Sequence, residues 1–405
     1  MMSGLARDQL QRILADTSGI IPLEPAWVTR DWLPPGRRLG LDDAAYDLGE
    51  RGFICERWLG STTHASNRIV VADEGLSYAR TEHDRMLLTD MIAADPAAIM
   101  GPEYAATHTG LSRLAKIFDY GARIPYHIHP RKEHAALVGR NPKDEAYYFP
   151  EGVELGEHPE TFFGVHPWIV DSGSHDVLLP YLVEWNSDLI LQHSRGYVQV
   201  AGDGWHVPAG ILHAPGTALT VELQEDSDAM LMLQALNAGK IISKEMLFTD
   251  VHPDRRRLLG ERAALEWVDW EANGDPYFYE NHHIAPSLVA GSEQPGGREE
   301  WLFSNSLKFS GIRLTLDPGA TYSSLDKGVH NILVFSGQGT FAGVPVKGGE
   351  PGSDELLVCY ERATKPLTVT NTGREPLVIV KFFGPDINLD TPRITRYGDD
   401  TERIR

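Results

Sequence analysis

A pair of histidines separated by one apolar residue constrains the fold of this chain more than any other feature. In the segment IPYHIHP, His127 and His129 are two residues apart. On an extended strand, residues i and i+2 point to the same side, so both imidazoles can face one ion. A third imidazole, that of His213, follows the Gly/Pro turn of VPAGILHAPG. This order predicts a β-barrel in which a returning strand brings the third histidine to the first two.

An acidic residue completes the candidate ligand set. Glu145 opens the strand-like run EAYYF and offers a hard oxygen ligand. Three histidines and one carboxylate suit a divalent transition metal that keeps open positions for a substrate. The sequence therefore predicts a metal centre held by His127, His129, Glu145 and His213.

The length and composition bound the class of protein. A chain of 405 residues can form two domains with separate cores. There is no run of 18 apolar residues and the N-terminus is polar, so we expect neither a membrane span nor a secretory signal. Cys55 and Cys359 lie far apart in apolar contexts and are expected to be buried free thiols, which favours the cytoplasm.

The charge distribution limits the expected partners. The formal net charge of −20 is spread along the chain without a basic patch, which argues against nucleic acid and anionic membranes as partners. A small molecule is the expected partner, and an anionic one such as a sugar phosphate would need local lysine or arginine to overcome the acidic background. The sequence does not indicate an oligomeric state.

The order of predicted elements suggests three segments. Residues 3–16 have helical periodicity, and many short strands follow. The segment DRRRLLGERAALEWVDWEA is expected to form the longest helix of the second half, and after it short strands resume at spacings typical of an all-β barrel. We therefore expect a metal-binding domain with an N-terminal extension in residues 1–240, a helical connector in 241–285 and a second barrel in 286–405.

The spacing of the histidines resembles the two motifs of the cupin superfamily. Gly121 precedes the first histidine pair at the spacing of the first motif, and VPAGILHAPG matches the second. The matching residues of the second motif are Gly202, Pro208, Gly210 and His213. The resemblance implies a mainly β fold of two jelly-roll barrels with accessory helices.

Two glutamates could supply the acidic ligand of this motif. The commonest cupin spacing places the glutamate at Glu133, within RKEHAAL. We prefer Glu145, because it lies in a strand-like run and Gly152 follows it at the expected offset, whereas Glu133 lies in a segment that indicates a turn or helix. Glu133 is then expected to be a solvated carboxylate.

Most of the chain also resembles the class I mannose-6-phosphate isomerases. The similar segments are ERWLGST, LSRLAKIFDYGARIPYHIHP, NPKDEAYY, VPAGILHA and VELQEDSD, in that order. The resemblance implies a metal-dependent aldose–ketose isomerase that acts on a sugar or sugar phosphate through an enediol-type proton transfer. It places the family's lysines on Lys116 and Lys143 and its candidate base on Glu222. The implied cofactor is one divalent metal, with zinc as the first choice and iron or manganese as alternatives.

Two departures from the family pattern leave other functions open. His127 stands where the family has Gln, and Met232 stands where several members have an arginine that assists catalysis. The added imidazole makes the ligand set similar to that of Fe(II)-dependent cupin dioxygenases. The missing arginine is compatible with a non-catalytic sugar-binding bicupin.

The second barrel is expected to be a degenerate copy without a metal. Its glycines are retained at Gly319 and Gly337, but Leu325 and Lys327 occupy the positions of the histidine pair. His330 alone cannot hold an ion. We therefore expect one metal per chain, in the first barrel only.

Overall fold

The computed structural model describes residues 2–398. Strands account for 29% of the chain and helices for 23%, and the sheets are antiparallel. The prediction of a mainly β fold with accessory helices is therefore confirmed. None of the sheets in this part of the chain closes into a continuous barrel.

The helices are short except for the first. The α-helices within residues 2–398 are Met2–Thr17, Leu88–Ala94, Pro96–Met100, Pro102–Ala105, Lys132–Leu137, Pro167–Asp171, Leu179–Glu184, Pro253–Leu259, Arg262–Leu265, Trp270–Asn273, Phe278–His282 and Tyr360–Ala363. The 3₁₀ helices are Asp43–Tyr46, Gly49–Arg51, His175–Leu178, Leu189–His193 and Lys244–Leu247. The N-terminal helix agrees with the periodicity of residues 3–16, because Leu10 and Ile13 are buried one turn apart.

The chain forms two compact units that alternate along the sequence. Of the described residues, the first unit contains 2–28, 56–117 and 285–392, and the second contains 29–55, 118–284 and 393–398. Three strands are divided between the units along their length: Ala26–Arg30, Phe53–Leu59 and Leu114–Phe118. The expected segments 1–240, 241–285 and 286–405 stay predictions about domain organisation, and residues 1 and 399–405 lie outside the described residues.

The first unit contains two antiparallel sheets that share a core. The larger sheet has the strand order Ile20–Pro22, Glu355–Val358, His330–Ser336, Leu377–Phe383, Ser310–Leu316, Gly297–Phe303 and Ser287–Leu288. The smaller has the order Thr321–Ser324, Leu367–Asn371, Gln338–Phe341 and Val344–Lys347. Leu314 and Ile332 of the larger sheet belong to the same buried cluster as Phe341 and Val369 of the smaller one. A hairpin of Tyr78–Arg80 and Arg85–Leu87 completes the strands of this unit.

The second unit has the same two-sheet arrangement. One sheet has the order Arg195–Val198, Glu160–Phe163, His213–Ala214, His127–Ile128 and Leu231–Met232. The other contains His283–Ile284, Gly204–Val207, Glu145–Tyr148 and Thr220–Gln224 in that order. Phe163 of the first sheet and Tyr147 and Trp205 of the second share one buried cluster. A short hairpin joins Leu236–Asn237 to Lys240–Ile241.

The prediction of one long helix after residue 250 is wrong. The segment instead forms separate short helices, and Pro253–Leu259 ends where Gly260 has a φ of +57°. A left-handed backbone at that position cannot continue an α-helix, and glycine adopts it without a Cβ penalty.

Two further expectations concern the environment of the protein. No helix within residues 2–398 is long and apolar enough to cross a membrane. Cys55 and Cys359 are both free and buried, as the apolar contexts predicted.

Candidate metal centre

Three histidines of the second unit point to one position. One ring nitrogen from each of His127, His129 and His213 lies within 4.8 Å of the other two, and all three residues are buried. His127 and His213 are direct partners on adjacent antiparallel strands, which places their side chains on the same face of the sheet. Within residues 2–398 this is the only cluster of three or more potential ligands that meets this distance.

Backbone carbonyls orient all three imidazoles. The Nδ1 atom of His127 lies 2.7 Å from the Pro125 carbonyl, that of His129 lies 2.9 Å from the Ala229 carbonyl, and that of His213 lies 2.8 Å from the Ile211 carbonyl. A carbonyl oxygen can only accept, so each Nδ1 carries a proton, and the Nε2 of a neutral ring then presents a lone pair. This is the arrangement by which proteins orient histidines toward a metal.

Burial keeps two of these rings neutral. It lowers the pKa of His127 well below its ordinary value, and the neighbouring His213 and His129 lower that pKa further. Burial, together with the positive charge of Lys143, lowers the pKa of His129 to about 4. At neutral pH both rings are therefore acceptors at Nε2, the form that ligates a metal.

Glu145 approaches the histidines from the opposite sheet. Its Oε2 lies 3.0 Å from Nε2 of His129, and its Oε1 lies 2.9 Å from Nε2 of His213. Those two nitrogens are buried and have no hydrogen-bond partner. The lone pair of neutral His129 and the Glu145 carboxylate repel each other at this distance unless a cation lies between them. The residues present therefore fit a divalent transition metal, with three nitrogen donors and one oxygen donor.

Lys143 and Tyr147 contact the same carboxylate. Nζ of Lys143 lies 3.1 Å from Oε2 of Glu145, and the hydroxyl of Tyr147 donates to Oε1. Burial alone would raise the pKa of the Glu145 carboxyl, but Lys143 and the imidazoles hold that pKa well below its usual range. Burial and the nearby Glu145 raise the pKa of Tyr147 well above its usual value, so its hydroxyl remains a donor.

Glu222 lies beside this group rather than in solvent. It is the direct cross-strand partner of Tyr147 and its side chain is 2% exposed. Its Oε1 lies 3.6 Å from Nζ of Lys143, so Lys143 contacts both carboxylates. The sequence left the direction of Glu222 open, because alternation alone does not say which face of a strand is covered.

Lys116 and Glu133 have other neighbours. Lys116 belongs to the first unit, where its Nζ lies 3.8 Å from Oε2 of Glu56 and is buried. Glu133 lies on the helix Lys132–Leu137, is 59% exposed and pairs with Arg131 at 3.2 Å. The solvated position expected for Glu133 is therefore observed.

Met232 occupies a position next to the ligands. It is the direct cross-strand partner of His127 and is fully buried in an apolar cluster. The position at which the family resemblance places an arginine is thus on the strand beside His127, and it contributes no charge there.

Sequence reasoning assigned no role to several groups that organise the site. No sequence signal points to the Tyr147 hydroxyl, nor to the Ala229 carbonyl, which is 100 residues from His129. The carbonyls of Pro125 and Ile211 each lie two residues before the histidine that they orient. Those two contacts are local and could be recognised from the recurring spacing.

Gly210 positions the loop that carries His213. Its φ of +89° is in the left-handed region, and its amide donates to the His129 carbonyl at 3.0 Å. A Cβ at this position would approach the Arg131 side chain to 3.0 Å. Glycine therefore allows the turn and the close approach that bring the third histidine to the first two.

The fold has known counterparts among solved structures. The mannose 6-phosphate isomerase from Bacillus subtilis aligns with a TM-score of 0.60 and 17% identity, over 89% of this chain and 99% of that one. A mutant of phosphomannose isomerase from Salmonella typhimurium aligns with a TM-score of 0.59 and 11% identity, over 91% of this chain and 100% of that one. This chain has the same fold. No protein-family model and no curated protein sequence matches it.

Proposed function

We propose that this protein is a metal-dependent aldose–ketose isomerase that acts on a sugar or sugar phosphate. The observation that carries the proposal is the buried set of three imidazoles and one carboxylate beside the pair Lys143 and Glu222. The fold shared with a mannose 6-phosphate isomerase supports it, because the similarity extends over nearly the whole chain.

The proposed ligands are His127, His129, Glu145 and His213. A metal bound there would polarise the sugar oxygens and stabilise the negative charge that develops on them during the reaction. Zinc is the first candidate, and iron or manganese would also accept this donor set. Glu133 is not proposed as a ligand, because its side chain is exposed on a helix.

Glu222 is proposed to move the proton. Its carboxylate would take a proton from the carbon next to the carbonyl and return it to the former carbonyl carbon, while a hydroxyl proton passes from one oxygen to the other. Together these two transfers would interconvert aldose and ketose through an enediol. Lys143 lies 3.6 Å from this carboxylate and 3.1 Å from that of Glu145, so it places a positive charge beside both. Burial of these groups excludes water that would compete for the proton. Lys116 is proposed as a further substrate-binding group.

Metal content tests the ligand set. Elemental analysis of the purified protein should find about one divalent metal ion per chain, and the variant His129→Ala, Glu145→Ala should lose it. Glu133→Ala is the matched control, because it removes an exposed glutamate from the same region and should leave the content unchanged. An unchanged metal content in the double variant would refute the assignment.

A substrate screen tests the reaction. The metal-loaded protein should interconvert at least one aldose–ketose pair among mannose, lyxose, mannose 6-phosphate and their ketoses. Because Met232 provides no positive charge beside His127, the comparison of mannose with mannose 6-phosphate decides whether the site needs a phosphate. If none of these pairs is converted, the isomerase proposal fails.

The third imidazole supports one alternative function, that of an Fe(II)-dependent dioxygenase. Three histidines and a glutamate also hold Fe(II) in dioxygenases, and His127 extends this set. An iron-loaded sample that consumes oxygen with a candidate substrate would favour that function over isomerisation. Carbohydrate binding without any turnover would instead favour the non-catalytic bicupin.

The proposed setting is the cytoplasm, with a small-molecule substrate. Two buried free thiols support a reducing compartment. The acidic balance of the chain supports a small molecule over nucleic acid.

A further inference from the structure

The first unit contains a cavity that involves none of the metal-centre residues. Its volume is about 340 Å³, which is at the lower end of the range for small-molecule sites. It is formed by residues 289–390, the part of the chain that the sequence predicts to be a degenerate barrel. The residues of its wall that carry the argument are Glu299, Trp301, Tyr322, Asp326 and Asn388.

A fully buried lysine organises one side of this cavity. Lys381 lies on the strand Leu377–Phe383 between its cross-strand partners Ile312 and Ile332. Its Nζ lies 2.6 Å from Oε1 of Glu299, 2.9 Å from both carboxylate oxygens of Asp326 and 2.7 Å from the Ser324 hydroxyl. The ammonium group of Lys381 thus binds two carboxylates that line the cavity.

Lys381 and Asp326 are both charged at neutral pH. Burial would lower the pKa of Lys381, but Asp326 and Glu299 raise it above its ordinary value. Burial would raise the pKa of Asp326, but Lys381 lowers it. A buried ion pair is seldom more stabilising than apolar side chains of similar volume. Stability alone therefore does not explain two carboxylates on a cavity wall.

His330 lies beside Asp326 and does not itself line the cavity. Its Nδ1 lies 2.9 Å from the Gly328 carbonyl, so Nε2 presents a lone pair. That Nε2 is buried without a hydrogen-bond partner, 3.6 Å from Oδ2 of Asp326. Burial lowers the pKa of His330 to about 4, so the ring is neutral.

The wall of the cavity includes several acceptor oxygens, whereas two of its side-chain donors are already used: Nζ of Lys327 donates to Asp390, and the Gln294 amide donates to the Ser323 carbonyl. Glu299 and Asp326 only accept, and the Tyr322 hydroxyl already donates to the Ser292 carbonyl at 2.8 Å, which leaves its lone pairs. The Asn388 side chain donates to the Ser310 hydroxyl, which leaves its carbonyl oxygen. A ligand that matches this wall must supply several hydrogen-bond donors.

We propose that this cavity binds an uncharged polyhydroxylated molecule of about monosaccharide size. Hydroxyl groups supply donors to the acceptor oxygens of the wall, and the rings of Trp301 and Tyr322 provide apolar surface for the carbon skeleton. The carboxylates of Glu299 and Asp326 disfavour a phosphate group by like-charge repulsion. The proposal does not depend on the isomerase proposal, because none of its residues belongs to the metal centre.

Calorimetric titration with D-mannitol and methyl α-D-mannopyranoside tests the proposal. Neither probe can be isomerised, since the first has no carbonyl and the second is locked as a ring. Ser323→Trp should block the cavity, because Ser323 lines it from an exposed position. Thr321→Trp is the matched control: it is exposed on the same strand, two residues away, and does not line the cavity.

At least one probe should bind the wild type and Thr321→Trp alike and bind Ser323→Trp at least about tenfold more weakly. The variant His129→Ala should retain this binding, which separates it from the metal centre. Equal binding by both tryptophan variants, or no binding of either probe by the wild type, would overturn the proposal. Tighter binding of ethanolamine than of both polyols would also overturn it, because the acceptors would then select a cation.

Discussion

Replacing Lys381 with methionine should destabilise the first unit strongly. The variant Lys381→Met removes a fully buried ammonium and leaves Glu299 and Asp326 facing each other without a counter-charge. Removing one partner of a buried ion pair typically costs about 3–5 kcal/mol. A loss of about 4 kcal/mol corresponds to roughly a thousandfold change in the unfolding equilibrium constant and a fall in Tm of roughly 10 °C.

The loss of stability in Lys381→Met should depend on pH, because it comes from a buried carboxylate that has lost its counter-charge. In the wild type, Lys381 lowers the pKa of Asp326, so the stabilisation is present above the unfolded pKa of about 4 and is lost as the pH falls through the lower folded value. In Lys381→Met the same carboxyl is buried without its counter-charge, and its pKa should rise. The variant's loss of unfolding free energy relative to the wild type should therefore be larger at pH ~7 than at pH ~5.

Urea unfolding followed by circular dichroism measures this effect. Lys327→Met is the control, because Lys327 is 54% exposed and its pair with Asp390 should contribute less than about 1 kcal/mol. The double variant Lys381→Met, Asp326→Asn should recover much of the loss, since only one buried charge then remains. A single variant within about 1 kcal/mol of the wild type at neutral pH would refute the reasoning.

Three other variants test the two units separately. Tyr147→Phe removes the hydroxyl that donates to Glu145 and should weaken metal affinity by about 10–100-fold in competition with a chelator, while unfolding stability changes little. Glu222→Gln should keep the metal, measured by elemental analysis, and lower kcat of the proposed isomerisation by about 10²–10⁴-fold; normal turnover would exclude Glu222 as the base. Burial raises the pKa of Glu355 to about 7, so its neutral form stabilises the folded state in acid and that contribution is lost as the pH rises through about 7. Glu355→Gln should therefore gain stability relative to the wild type between pH ~5 and ~8 in urea titrations, and a constant difference would contradict this assignment.

The local spacing of residues was enough to predict part of the site. A strand repeats every two residues, so HIH places His127 and His129 on one face whatever the rest of the chain does. The Gly/Pro turn before His213 is also a local feature, since Gly210 has the left-handed backbone that the close approach to His129 requires. These signals also predicted a mainly β fold, because they depend on strand geometry and turn chemistry.

Contacts between sheets could not be predicted in the same way. Glu133 and Glu145 are both glutamates at plausible spacing, and only the packing of a second sheet brings Glu145 to within 3.0 Å of His129. The direction of Glu222 depended on which face of its strand is covered, a property of the whole sheet. The expected long helix failed for a local reason that the sequence did contain, the glycine at position 260.

The sequence by itself determined the alternation, the turns and the types of ligand atom, because these follow from neighbouring residues along one strand. The tertiary structure decided which charges meet. Lys143 lies between Glu145 and Glu222, and Lys381 lies between Glu299 and Asp326, although the two carboxylates of each pair are not neighbours in sequence. Electrostatic energy depends on distances of a few ångströms in a dry interior, and only strand register and sheet packing set those distances.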